Sequence, residues 1–184
     1  HGTQMIVEGN WDNAGSYTHN DGEVVFQGAS SVSITGANTW YDLTCATAGK
    51  QLAFEAGVIQ TVVNDLTLTG ASGSLIQVRS SDGSAWGLDV SGDGADETVI
   101  YVDVQDADMM GGNDVFCAAS IDSGGNDKDG GDGDGEWLFG PTAVADAFTV
   151  AQGATFNSST GVGRLTTLSG SRSVLANDTD TDNI

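Results

Sequence analysis

The stretch from Met5 to Gly28, MIVEGNWDNAGSYTHNDGEVVFQG, already shows the pattern that decides the fold. It continues as SVSITGANTWYDLTC over residues 31–45 and as LAFEAGVIQTVVNDLTLTGASG over residues 52–73. In each stretch a short run of alternating apolar and polar residues is followed by glycine or asparagine and then by another short run. A period of two is typical of strands with one buried side, and Gly and Asn favour the turns between strands.

The same pattern extends along most of the chain. Apolar or β-branched runs recur at Met5–Val7, Val24–Phe26, Val32–Ile34, Trp40–Leu43, Leu52–Phe54, Val58–Val63, Leu66–Leu68, Leu75–Val78, Trp86–Val90, Val99–Val104, Val115–Cys117 and Trp137–Phe139. Short strands at spacings of about 8–12 residues fit a sandwich, a barrel or a solenoid. The repeated unit of strand, bend and strand favours a parallel β-helix, whose coils each contain several brief strands. We therefore predict an all-β chain with a right-handed parallel β-helix over residues 1–140 and a short β-rich extension over residues 141–184; the alternative is a β-sandwich.

Composition supports strands and turns and excludes several kinds of partner. Of 184 residues, 39% are hydrophobic, 27 are Gly and one is Pro, which suits turn-linked strands better than helices. Only five Lys and Arg oppose 26 Asp and Glu, so the formal net charge is −21. A nucleic acid or an anionic membrane surface would need a basic face, so we expect neither as a partner. No run of 18 apolar residues occurs, and we expect no insertion into a membrane.

The densest acidic segment lies between Asp122 and Glu136, where carboxylates alternate with glycines. Calcium takes six to eight oxygen ligands, and glycine lets a loop curl so that carboxylates and carbonyls converge. The segment lacks the spacing of an EF-hand, and its alternative interpretation is a solvated acidic loop. We predict a calcium site there, with candidate ligands Asp122, Asn126, Asp127, Asp129, Asp132, Asp134 and Glu136.

The two cysteines, Cys45 and Cys117, allow two interpretations. Both lie among apolar or small residues, where a free thiol packs as a small hydrophobic side chain. The chain starts at His1 rather than at Met, so we expect a processed or excised product. Because disulfides persist outside the cell, a Cys45–Cys117 bond remains an equal alternative.

The order of the motifs resembles a known family over about residues 5–140. The matching motifs are Gly9-Asn10-Trp11, Asn13, Gly15, Tyr17, Gly22, Val24, Phe26, Gly28, Trp40-Tyr41-Asp42-Leu43-Thr44 and Val63-Asn64-Asp65-Leu66-Thr67-Leu68. Together they look like the β-solenoid repeats of large bacterial surface and filamentous-haemagglutinin-like proteins. The acidic insertion at residues 127–136 departs from the common form of that repeat, which has a short Asn-rich link there.

A second resemblance begins after Gly140. The stretches PTAVADAFTVAQGATF, residues 141–156, and SVLANDTDTD, residues 173–182, are similar to the opening of cadherin-like or VCBS-type repeats of giant adhesins. In such repeats this acidic loop binds calcium, which implies a second site at Asp178, Asp180 and Asp182; the alternative is a frayed terminus. The extension has too few strand patterns for a closed domain, and an open strand edge favours pairing with another chain.

The resulting hypothesis is a non-catalytic structural module of a secreted, calcium-stabilised adhesin or extracellular fibre. Its expected partners are copies of itself, joined head to tail by strand donation, or adjacent repeats of a larger surface protein. One alternative is a glycan-binding adhesin module, with aromatic side chains as the sugar platform. Another is a polysaccharide-active β-helix enzyme, which would need converging carboxylates or a basic residue such as Arg79. The cationic residues lie singly, at Lys50, Arg79, Lys128, Arg164 and Arg172, which disfavours the enzyme.

Overall fold

The structure is a computed structural model, and it describes residues 2–28, 31–91, 97–128 and 135–140. These residues belong to one compact unit, which ends at Gly140. All regular elements in the described ranges are strands, and none of these residues forms a helix of the length and apolarity that a membrane crossing needs. The expected extension over 141–184 lies outside the described residues.

Seventeen short strands make up the described part of the chain. In chain order they are β1 Met5–Val7, β2 Trp11–Asp12, β3 Glu23–Phe26, β4 Ser31–Thr35, β5 Asn38–Trp40, β6 Asp42–Cys45, β7 Gln51–Phe54, β8 Ile59–Val62, β9 Leu66–Thr69, β10 Ile76–Ser80, β11 Trp86–Val90, β12 Glu97–Ile100, β13 Val102–Val104, β14 Ala107–Gly112, β15 Val115–Ala118, β16 Ile121–Asp122 and β17 Trp137–Phe139.

The strands form three parallel sheets, which we call faces 1, 2 and 3. Face 1 has the order β1-β3-β6-β9-β12-β15-β17, face 2 the order β2-β4-β7-β10-β13-β16, and face 3 the order β5-β8-β11-β14. Each strand pairs with its equivalent one coil later, so the chain winds as a right-handed β-solenoid of about six turns. The predicted parallel β-helix is confirmed, and the β-sandwich alternative is wrong.

The core lies inside the coils and consists of columns of side chains in register. On face 1, Val24 pairs with Leu43 and Leu43 with Leu66, so equivalent apolar side chains stack from coil to coil. A second column on that face contains Val7, Phe26, Cys45, Leu68, Val99, Cys117 and Phe139. Apart from Val7 its members are buried, and each large side chain removed from water stabilises the fold by about 1.5–3 kcal/mol.

Two sequence predictions at the corners between faces are wrong. The runs Trp40–Leu43 and Val99–Val104 were each expected as one strand, but Tyr41 and Tyr101 are corners that divide each run in two. Tyr101 turns the chain alone, with a φ of 54° in the left-handed region. A bulky side chain rarely adopts that conformation, so nothing in the sequence marked this corner. Three strands were also missed, namely β2, β14 and β16.

Glycine is needed where one coil touches the corner of the next. A Cβ atom on Gly70 would lie 2.1 Å from the carbonyl oxygen of Tyr101. Backbone atoms cannot move away as a flexible side chain can, so the close approach of these two corners requires glycine at this position.

The corner after β15 provides a test of backbone strain. Ala119 is exposed and has a φ of 50°, which is unfavourable for any residue with a Cβ atom. Ala119→Gly should raise the free energy of unfolding by about 0.5–1 kcal/mol, because the strain is removed and no packing is lost. Urea unfolding followed by circular dichroism measures the change.

Ala118→Gly is the matched control, one residue earlier and within β15. Its backbone is extended, so glycine there should lower stability through the entropy of the unfolded chain. Equal destabilisation by both substitutions would contradict the strained corner.

Candidate functional site

The acidic segment begins inside the solenoid, at the end of β16. Asp122 pairs with Val104, which continues a face 2 column that contains Val32, Leu52 and Val78. A carboxylate therefore occupies a place that valine or leucine fills in the earlier coils. A charged group at such a place must be paired and hydrogen-bonded to be tolerated.

Asp122 has such partners on both of its oxygens. Oδ1 accepts hydrogen bonds from the backbone N–H of Gly124 at 2.8 Å and from Nδ2 of Asn126 at 2.7 Å. Oδ2 forms an ion pair with Nζ of Lys128. Partial burial acts to raise the pKa of Asp122, but the bonds from Lys128, Gly124 and Asn126 and the charge of Lys128 outweigh it, and the pKa lies below its ordinary value.

Asn126 connects this coil to the preceding one. Its Oδ1 accepts from the backbone N–H of Ala107 at 3.0 Å, and its Nδ2 donates to the carbonyl of Val104 at 2.9 Å. Asp122 and Asn126 therefore hold the corner of the coil together, and Lys128 already supplies a cation to Asp122. We interpret both residues as structural and retain the loop carboxylates as calcium candidates.

The base of the acidic loop is held closed by backbone hydrogen bonds. Asp127 donates to the carbonyl of Ala107 at 3.0 Å, and Trp137 donates to the carbonyl of Asp127 at 3.1 Å. These bonds join Asp127 and Trp137, which lie on either side of the acidic segment, to each other and to Ala107 of the preceding coil. Among the candidate ligands in this segment, Glu136 is largely buried, whereas Asp129, Asp132 and Asp134 lie outside the described residues.

The second predicted site, at Asp178, Asp180 and Asp182, also lies outside the described residues. In the described ranges, no three His, Cys, Asp or Glu side chains converge as a ligand set for a metal ion. The calcium predictions thus depend on the acidic loop and on the far C-terminal segment.

An ordered set of carboxylates that we had not predicted lies at the start of face 1. We call it the acid column; among the described residues it contains Glu23, Asp42, Asp65, Asp114 and Glu136, one per coil. In the sequence, Asp96 directly precedes β12, and it lies outside the described residues. The sequence signal was available, because an acid precedes an apolar-x-apolar strand in EVVF, DLTC, DLTL, DVFC and EWLF.

Acid-column carboxylates bind the backbone of the next coil. Oδ1 of Asp42 accepts from the N–H of Asp65 at 3.2 Å and from Nδ2 of Asn64 at 2.7 Å. Oδ1 of Asp114 likewise accepts from the N–H of Glu136 at 3.1 Å. A carboxylate that accepts a backbone N–H is a strong acceptor, so these acids stabilise the corner between coils.

The two cysteines lie in one inner column but far apart. Cys45 is on β6 and Cys117 on β15, three strand spacings of about 4.8 Å, or about 14 Å, along face 1. A disulfide needs Cα atoms within about 7 Å, so these residues cannot be bonded within one chain. Both are buried free thiols, and burial raises the pKa of each well above its ordinary value.

Of the aromatic residues considered for a sugar platform, three tryptophans lie in the core, whereas Trp11, Tyr17 and Tyr41 are partly exposed. Trp40, Trp86 and Trp137 are fully or almost fully buried, and Trp86 stacks on Phe54 with ring centroids 4.2 Å apart. These side chains therefore fill the interior of the coils and present no flat aromatic surface to solvent.

At the N-terminal end of the solenoid, an aromatic cluster covers the core of the first coil. Trp11 lies 4.9 Å from Trp40 and 5.0 Å from Tyr17 between ring centroids. Beneath it, the buried side chains Asn38 and Gln60 form an amide pair through a 3.0 Å bond, and Asn38 also accepts the indole N–H of Trp11 at 2.8 Å. We call Trp11, Tyr17 and Trp40 the aromatic cap.

The cationic side chains in the described ranges are each engaged inside the protein. Arg79 donates to Asp103 through Nη2 at 2.5 Å and to the Asp103 carbonyl through Nη1 at 2.5 Å. Lys50 is buried, and its Nζ donates to the carbonyl of Gln27 at 3.0 Å. Together with Lys128 on Asp122, these contacts join parts of the coils to one another.

Asp122→Asn tests the ion pair with Lys128. The amide keeps the shape of the side chain and removes its charge, so the free energy of unfolding should fall by about 1 kcal/mol at neutral pH. The folded-state pKa of Asp122 is depressed, so its contribution is present above the unfolded pKa of about 3.9 and is lost as pH falls through the folded pKa. The difference between variant and wild type should therefore shrink in acid.

Urea unfolding at about pH 7 and about pH 3 measures this difference. Glu8→Gln is the control, because that carboxylate is exposed and accepts its hydrogen bond from the neutral amide of Gln27. A stability difference for Asp122→Asn that is the same at both pH values would contradict the role of the charge.

The assignment of the fold rests on the register of the strands. The resemblance of residues 5–140 to bacterial β-solenoid repeats, and of residues 141–184 to cadherin-like repeats, stays a prediction from the motifs quoted above. Comparison of the chain with known protein families, with curated proteins and with solved structures finds no match.

Proposed function

We propose that the chain is a non-catalytic structural module of a secreted, calcium-stabilised bacterial adhesin or extracellular fibre. The strongest support is that polar side chains form hydrogen bonds between neighbouring coils. Asp42, Asn38 and Asn126 each form a hydrogen bond with the neighbouring coil, so these side chains hold successive coils together. In a load-bearing module, side chains are expected to connect one repeat with the next.

The engaged cations favour this role over a polysaccharide-active enzyme. A lyase or hydrolase needs a base or paired acids free to reach a substrate. Arg79, the basic residue considered for that role, is held by Asp103 on the neighbouring coil. The interior position of Trp40, Trp86 and Trp137 likewise weighs against a glycan platform built from them.

Calcium binding is proposed at the loop between Asp127 and Trp137. Its sequence places five carboxylates within ten residues, at Asp127, Asp129, Asp132, Asp134 and Glu136. Asp127 and Trp137, which flank this segment, are hydrogen-bonded to each other, and five carboxylates within ten residues of sequence repel one another. A bound divalent cation would relieve that repulsion and would order the oxygen ligands around it.

Chelation tests the calcium proposal. A ligand that binds only the folded chain stabilises it by about 2.7 kcal/mol at a concentration 100 times its dissociation constant. We expect a lower melting temperature in chelator than in millimolar calcium, as measured by scanning calorimetry. The double variant Asp132→Asn with Asp134→Asn should melt at the same temperature in both buffers.

The charge-matched control is Glu8→Gln with Asp21→Asn, two exposed acids at the other end of the solenoid. It should retain the calcium-dependent shift in melting temperature. Identical melting of the wild type with and without chelator would refute the proposed calcium site.

A further inference from the structure

Strand β1 exposes two apolar side chains at the N-terminal end of the solenoid. Met5 is 45% exposed and Ile6 53% exposed, whereas Val24, which pairs with Met5 on the next strand, is fully buried. In the part of the chain that the structure describes, β1 pairs only with β3, so its other edge is open. An open edge with apolar side chains is a template for another strand.

The uncovered region is confined to face 1. The aromatic cap covers the same end of the solenoid elsewhere, through Trp11 and Tyr17 above Trp40. Asn13 adds a 2.8 Å bond to Asn38 on that side. At this end of the solenoid Trp11 of face 2 therefore packs on Trp40 of face 3, whereas Met5 and Ile6 of face 1 remain exposed.

At the other end of the same sheet, β17 pairs only with β15 in the described part of the chain, so its outer edge is also unpaired, although its inward side chains Trp137 and Phe139 are already buried. Every strand of face 1 runs in the same direction, so β17 of a second copy, shifted along the solenoid axis, would meet β1 in parallel. Continuation of the observed register places Trp137 beside Met5, Leu138 beside Ile6 and Phe139 beside Val7. Apolar side chains then meet apolar side chains at all three positions.

Charge also suits this pairing. In the register of face 1, Gln4 occupies the place of the acid column in the first coil, and its Nε2 donates to Oε2 of Glu23 at 2.8 Å. At a junction between copies, Glu136 would therefore lie beside a neutral amide rather than beside another carboxylate. In a chain with a net charge of −21, a junction without facing carboxylates avoids the main repulsion.

We propose that copies of this chain join head to tail by parallel pairing of β17 in one copy with β1 in the next. This inference rests on the proposed structural function and identifies the two edges through which it would operate. The junction is heterologous and does not close on itself, so it generates a filament. Seven strand spacings of about 4.8 Å predict a repeat of about 34 Å along face 1.

Cysteine pairing across the junction tests the register. Ile6 and Leu138 lie at opposite ends of face 1, six strand spacings or about 29 Å apart, so they cannot be bonded within one chain. The full-length double variant Ile6→Cys with Leu138→Cys, oxidised in calcium, should give a ladder of covalent oligomers on a non-reducing gel. The native cysteines are buried and contribute little to this reaction.

Two controls identify the junction. Ile6→Cys with Thr98→Cys places the second thiol at an exposed position in the middle of the same face and should give no ladder. Ile6→Cys alone should give no dimer. Efficient dimer formation by Ile6→Cys alone would overturn the proposal in favour of a two-fold junction between β1 strands.

A proline at the edge provides a second measurement. The carbonyl of Val7 accepts from Gln27 on the β3 side, and neighbouring residues of a strand alternate the side to which their backbone groups point. The N–H of Ile6 therefore points to the open edge, and Ile6→Pro removes it without breaking the pairing with β3. Sedimentation should show loss of assemblies for Ile6→Pro and their retention for Ile6→Val.

The outcomes separate this junction from the broader function. If the wild type assembles in calcium but Ile6→Pro assembles equally well and no ladder forms, the junction is wrong and the structural module stands. If the wild type remains monomeric and no ladder forms, the junction and head-to-tail assembly both fail. The effect of calcium on the melting temperature would still test the proposed calcium-stabilised module, because that measurement does not depend on assembly.

Discussion

Backbone pairing between equivalent strands of successive coils is the constraint on which the rest of this molecule depends. Because the strands are parallel and in register, every side chain has a counterpart about 4.8 Å away in the next coil. An apolar residue therefore extends a buried column of side chains. A polar residue such as Asn38 can form a hydrogen bond with its counterpart in the next coil. The pair Asn38 and Gln60 and the acid column are two results of the same geometry. Buried polar groups such as Asn38, Gln60 and Asp42 are thus satisfied by a partner in the next coil rather than by a specialised pocket.

The register explains which features could be read from the sequence. Alternation of apolar and polar residues between Gly-rich bends predicted an all-β chain, and the repeated unit of strand, bend and strand favoured the parallel β-helix over a sandwich or a barrel. The corners at Tyr41 and Tyr101 were not predictable, because each interrupts an apolar run without glycine or proline. Left-handed backbone at an aromatic residue is imposed by the coils on both sides and not by its own preference.

The candidate site, too, could be predicted from the sequence only in part. The acidic segment could be recognised in the sequence as a cluster of charged residues. The structural role of Asp122 could not, because it depends on the strand register that places Asp122 beside Val104. Local spacing also could not show that Asn126 bridges to Ala107, 19 residues earlier. The acid column, in contrast, was present as a repeated acid before each apolar strand. It was missed because the coils differ in length and hide the repeat.

The difference in coil length has a consequence for the evolution of such a chain. The corner between faces 1 and 2 contains six residues, 70–75, in one coil and the single residue Tyr101 in the next. Both corners return the chain to the same register, so the strands on either side are unaffected. Insertions and deletions at this corner can therefore accumulate without disturbing the columns. In a lineage of such solenoids, variation in coil length would mark the corners, and fixed spacing within strands would mark the interior.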